Sequence, residues 1–134
     1  MASHQPLRRL EDYFQEGKIY ILPQTYAILK ARVPCVNAFA NICNQKEITV
    51  VIDQKKIPKN NVIAIEEGWK IITFDLILPF ELVGFLAKIT TLLARAKISV
   101  FVLSSYSTDH ILVKNKDLNH AVRVLRDLGF KIRK

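Results

Sequence analysis

The sequence predicts an α+β fold with two helices on one face of an antiparallel sheet, and three observations carry that prediction. From Phe80 onward, apolar side chains recur at positions 82, 85, 86, 89, 92, 93 and 96, the three-and-four spacing of a helix with one buried stripe. Residues 98–113 form two apolar runs rich in β-branched and aromatic side chains, joined by a polar corner at 104–109. A second helical stripe follows in Leu118, Ala121, Val122, Leu125 and Leu128 and stops at Gly129. With an extended run before the first helix and Phe130 to Ile132 after the second, the order is β-α-β-β-α-β, the split βαβ arrangement.

Taken in order, residues 1–17 are polar, with Leu7, Leu10, Tyr13 and Phe14 at helical spacing, and read as an N-terminal arm, either a short docking helix or a loose segment. Residues 18–22 and 25–31 look extended and are separated by Pro23, which has no N–H to give a ladder. Residues 36–43 suggest a turn of helix running into a strand. Asn44, Gln45 and Lys46 then make a plausible hairpin connection into the strand 47–53, and a loop of Lys, Pro and Asn continues to Asn61. The span 18–66 is therefore mostly β.

Residues 69–78 form a long extended run, and the first helix is expected over 79–96, with Glu81 in the first turn, where the helix dipole favours a carboxylate. Strands follow at 98–103 and 110–113. The second helix, 117–128, should start with Asp117 accepting free amide hydrogens and end at Gly129 with positive φ. The resulting division is an arm at 1–17, a first half at 18–66 and a unit at 67–134.

Composition narrows the function. A chain of 134 residues, half of them hydrophobic, closes one ordinary domain or two small ones sharing a core. No apolar run reaches the roughly 20 residues that span a bilayer, and the start of the chain lacks the apolar centre of a secretory leader. No membrane association and a cytoplasmic location are expected. Cys35 and Cys43 show no metal-type spacing and read as two buried free thiols. His110 and His120 lack carboxylates or cysteines at ligand spacing, so no metal is expected. No nucleophile with a base, no paired acid and base and no glycine-rich phosphate cradle is visible, so neither catalysis nor a cofactor is expected.

The net charge of +8 raises nucleic acid as a partner, because clustered cations gain affinity by releasing counterions. Here the basic residues are scattered through separate turns, loops and the tail, which suits solvated charge. An RNA-binding module would also need aromatics on an open sheet face, whereas Phe74 and Phe101 sit inside apolar runs and read as core or interface. A purely structural dimerisation protein is a third reading.

The corner supplies the functional clue. Ser104, Ser105, Tyr106, Ser107, Thr108 and Asp109 carry four aliphatic hydroxyls, a phenol and one carboxylate. Hydroxyls both donate and accept, which suits a zwitterion whose two ends demand opposite partners. A helix amino end offers unpaired backbone donors to a carboxylate, Gly84 leaves room for close approach, and Asp109 can hold an ammonium group. Plainer roles exist for the same residues: Asp109 as a turn residue capping its own backbone, Gly84 as a packing contact, Tyr106 as a surface aromatic and Trp69 as a core anchor.

Several stretches in this order resemble a known family: Glu67-Gly68-Trp69-Lys70, then Val83-Gly84-Phe85-Leu86-Ala87, then the whole of 98–113, and finally Asp117-Leu118-Asn119-His120-Ala121-Val122-Arg123-Val124-Leu125. They resemble the ACT domain, a small regulatory module that binds amino acids and related metabolites, and are similar to its tandem subfamily, including animal cytosolic arginine sensors. The likeness covers about residues 67 to 130, and more weakly 18–66, through Leu22-Pro23, Tyr26-Ala27 and the strand at 47–51. It implies ferredoxin-like βαββαβ ACT units in tandem, a homodimer and a ligand pocket between units. By that resemblance Leu82, Val83 and Gly84 line the pocket from the helix start, and Ser104, Ser105, Tyr106, Thr108 and Asp109 line it from the corner.

Overall fold

The computed structural model describes residues 8–133, so residues 1–7 of the expected arm, Leu7 among them, and Lys134 lie outside the described residues. The elements are α1 (Leu10–Glu16), β1 (Lys18–Ile21), β2 (Tyr26–Ala31), β3 (Ala40–Cys43), β4 (Ile48–Asp53), β5 (Val62–Phe74), α2 (Phe85–Arg95), β6 (Phe101–Ser104), β7 (Asp109–Lys114), α3 (Leu118–Leu128) and β8 (Lys131–Ile132).

One eight-stranded sheet is organised on the 13-residue β5. β7 lies along one edge of β5, pairing Trp69 with Lys114 through Thr73 with His110. The other edge is shared by β1, which pairs with Ile72 to Phe74, and β2, which pairs from Trp69 back to Val62. Pro23 forces the break between them, and the outward carbonyls of Pro23 and Gln24 accept from Lys70 Nζ at 2.9 and 3.0 Å. β4 and β3 continue the sheet beyond β2, β6 flanks β7, and β8 runs parallel to β1.

β5 starts at Val62 rather than Trp69 and stops at Phe74 rather than 78. Its opening stretch carries exposed Ile63, Ala64 and Ile65, so pairing with β2, not burial, makes it a strand. Midway, Glu67 and Gly68 together oppose Ala27, a bulge that Gly68 relieves at φ 82°. A Cβ there would meet nothing within 4 Å, so the backbone angle alone calls for glycine. β5 also runs straight through 66 and 67, the junction expected from the sequence.

Alternation along β5 sends Ile72 and Phe74 to one face and Trp69 and Ile71 to the other. On the first face lie Tyr13 and Phe14 of α1, Phe85, Ile89 and Leu93 of α2, and Ala121, Val122 and Leu125 of α3, packed on Ile19, Ile111 and Val113. On the second, Trp69, Ile71 and Leu112 meet Tyr26 and Val51, with Phe39, Phe101 and Leu103 partly buried beside them. The strands β2 to β4 bury a smaller third cluster on their own far side, Ala27, Leu29, Ala31, Cys35, Val50 and Ile52. The architecture is α+β, and β5-α2-β6-β7-α3-β8 has the ferredoxin-like order. By packing, α1 and β1 complete this C-terminal unit, with β1 between β5 and β8.

Several expectations are corrected. No helical turn forms at 36–39; the chain turns there because Asn41 takes Cys35 N–H and gives to Cys35 C=O, both at 2.8 Å. Residues 18–66 contain strands and two short 3₁₀ turns and no α-helix. Cys43 is exposed on edge strand β3, and only Cys35 is buried. α2 begins at Phe85, not 79, because 79–82 closes a separate turn, with Leu82 N–H on Pro79 C=O at 3.1 Å, and Gly84 enters at φ 92°. Glu81 consequently sits in the preceding turn. Asp117 occupies the start of α3 without a side-chain cap, since a 3₁₀ turn gives it φ −99° and ψ −3° instead of extended backbone.

Gly129 ends α3 at φ 131°, and a Cβ there would lie 2.9 Å from the Phe14 carbonyl. No helix among the described residues is long and apolar enough to cross a membrane.

A cleft between the start of α2 and the β6–β7 corner

The corner is a tight hairpin. Ser104 and Asp109 are the last register pair of β6 and β7, so the connection shortens to four residues closed by Ser105 N–H on Thr108 C=O at 2.9 Å. Ser104 Oγ donates to Asp109 Oδ1 at 2.6 Å, and the other carboxylate oxygen has no protein hydrogen-bond partner among the described residues. Ser105 Oγ lies 3.1 Å from Thr108 C=O, 2.8 Å from Thr108 Oγ1 and 3.0 Å from His110 Nε2. The Leu78 to Ser107 bond ties the lead-in to α2 against this hairpin.

On the opposite wall α2 starts without a capping side chain. Its first amides have no intrahelical acceptor, and the dipole leaves partial positive charge there. A cleft of about 300 Å³ separates the two walls. Leu82, Gly84, Ser104, Ser105, Tyr106 and Asp109 line it, so six of the eight residues expected at the site are brought together. Val83 is 83% exposed and lies off the cleft, and Thr108 stands behind Ser105 and holds it. Phe80, Phe85, Leu86 and Ser107 also line the cleft and were not anticipated. Ser107 was legible as part of the polar corner; Phe80 was hidden by the expected helix start.

Among the described residues, Asp109 is the one charged side chain lining the cleft, and no Lys, Arg or His joins it. Tyr106, 82% exposed, meets the exposed Phe80 edge to face at 5.0 Å, giving the mouth an aromatic rim. Behind the corner, His110 is half-buried, and burial lowers its pKa below the usual 6.5 against the opposing pull of Asp109. A larger, more open depression of about 460 Å³ lies between α2 and α3, floored by Leu92, Val124 and Leu128, and gathers no hydroxyls. Of the aromatics that a base-stacking sheet would expose, Phe74 is fully buried under the helices and Phe101 packs between the two halves.

The fold and the cleft together define a ferredoxin-like α+β unit with a helix start facing a hydroxyl-rich hairpin. Residues 64–127 match the family model described as ACT domain, a span that includes both walls. No curated protein matches the chain. Among solved structures, a protein of Agobacterium tumefaciens is 24% identical, with a TM-score of 0.71 over 87% of this chain and 92% of that one. A Vibrio cholerae protein of unknown function, described as a possible transport protein, is 22% identical with a TM-score of 0.72, covering 90% and 95%. The regulatory subunit of aspartate kinase from Thermus thermophilus, in its ligand-free form, shares the fold at 6% identity, with a TM-score of 0.63 over 82% and 95%.

Proposed function

We propose that this chain is a non-catalytic regulatory or sensor protein that binds an amino acid or similar small metabolite in this cleft, at an interface between ACT units. One observation carries the reading: among the described residues, a single carboxylate and an uncapped helix start face each other across one cleft that no Lys, Arg or His lines. An α-ammonium group fits beside Asp109 and Ser104. An α-carboxylate fits the free amides beyond Gly84, where a helix start favours an anion. The ligand side chain then lies against Leu82 and Phe85 and reaches the Phe80 and Tyr106 rim.

The match of 64–127 to the ACT domain and the fold shared with an aspartate kinase regulatory subunit support a regulatory role. A homodimer belongs to the same proposal, because exposed Phe80, Val83 and Tyr106 give a second copy an apolar surface beside the mouth. Free, exposed Cys43 suits a reducing cytoplasm.

The test is a set of thermal melts against each of the twenty amino acids. A ligand of the folded state should raise the melting temperature progressively with concentration, by the equivalent of about 2.7 kcal/mol at 100 times Kd. Asp109→Ala should abolish the response and, through loss of the Ser104 hydrogen bond, lower ligand-free stability by only about 1 kcal/mol. A panel in which no amino acid moves the wild-type melt rejects an amino acid as the ligand.

A further inference from the structure

His110 is not in the cleft wall, yet both of its ring nitrogens are engaged. Nδ1 lies 2.9 Å from Thr73 Oγ1 and Nε2 lies 3.0 Å from Ser105 Oγ. Thr73 is its register partner on central β5 and is only 2% exposed. A neutral imidazole accepts at one nitrogen and donates at the other, and both hydroxyls can take either role. A hydrogen-bond chain therefore runs from Thr73 through His110 and Ser105 to Thr108, from the middle of the sheet to the hairpin tip.

The N-terminal half reaches the same ring. Phe39 meets His110 edge to face, with centroids 5.2 Å apart and planes at 88°. Phe39 is itself held by its N–H on Val51 C=O at 2.8 Å and by the Tyr26 ring at 6.0 Å.

We infer that His110 is a positioning residue: anchored on Thr73 and braced by Phe39, it sets the hairpin that presents Ser104, Ser105 and Asp109, and so links the cleft to the N-terminal sheet. Its effect on ligand affinity rests on the proposed reading of the cleft; its effect on hairpin geometry does not. A plain space-filling role predicts something different, because Thr73→Val keeps the volume and removes only the hydroxyl.

Nitrogen-15 spectra of the ligand-free protein, together with the amino-acid melts, separate the cases. In Thr73→Val the His110 ring nitrogens should leave their wild-type shifts, and the amides of Ser105 to Thr108 should move with them. Phe39→Leu, at a half-buried site, provides a second variant that moves the same amides without touching the hydrogen bonds. For whichever amino acid stabilises the wild type most, affinity in Thr73→Val should fall roughly fivefold, the worth of one net hydrogen bond. Corner amides unmoved in both variants overturn the inference whatever the ligand response. Amides that move while no amino acid shifts the wild-type melt uphold the positioning role and reject an amino acid as the ligand.

Discussion

The two ends of β5 belong to regions that solve burial by opposite means. Around Trp69 to Phe74 the sheet is covered by α1, α2 and α3, whose core includes the rings of Phe14, Phe74, Phe85 and Phe130 at 5.2 to 6.2 Å spacing. Around Val62 to Gly68 no helix among the described residues covers the sheet, and a small aliphatic cluster is closed by the loop at 32–35. Asn61 holds that loop: its Oδ1 accepts from Arg32 and Val33 N–H, and its Nδ2 donates to Val33 C=O. Only the helical region can place a helix start opposite a hairpin, so the cleft sits there. The helix-free region instead covers the sheet's other face and reaches the corner from behind through Phe39.

The sharpest way to break this contrast is to empty one core. Phe74→Ala removes a fully buried ring from the helical side and should cost about 3–5 kcal/mol in urea unfolding. A loss below about 1 kcal/mol would mean that the aromatic layer does not carry the unit. Asn61→Ala leaves Val33 N–H and C=O without their side-chain partner, while Arg32 N–H keeps the Asn61 main-chain carbonyl at 3.0 Å, and should cost about 1–3 kcal/mol. Hydrogen exchange should then quicken at 31–35 and in β3 and β4 while α2 and α3 stay protected; equal opening of both would show a single cooperative unit and dissolve the comparison.

The smallest effect is in pH. His110 titrates lower in the folded state than its usual 6.5, chiefly through burial. The folded protein thus binds fewer protons than the unfolded chain, so this contribution is complete above about 6.5 and is lost as pH falls through the folded value. His110→Gln should flatten the stability profile in that window, measured by urea melts at stepped pH. An unchanged slope would assign it to other groups.

How far the sequence was legible follows the same divide. Periodicity located α2 and α3, whose stripes Phe85, Ile89, Leu93 and Ala121, Val122, Leu125 are buried, because amphipathic spacing is a local property. The corner was legible as a run of hydroxyls between apolar strands. The start of α2 was misplaced because Pro79 and Glu81 suit a first turn equally well, whereas the chain closes a separate turn with Leu82 N–H on Pro79 C=O at 3.1 Å and enters the helix only through Gly84 at φ 92°. Val62 to Gly68 was missed as strand because its side chains are mostly exposed and its pairing with β2 leaves no periodic trace.

The residues by themselves determined the amphipathic stripes of α2 and α3, the stop of α3 at Gly129, and which short stretch gathers hydroxyls around one acid. Tertiary structure alone decided that β1 lies between β5 and β8, that β5 serves both regions, and that Asp109 and Gly84 face one cleft. The reason is physical: propensity and periodicity act over a few residues, whereas strand order and a two-walled site depend on which distant surfaces bury each other.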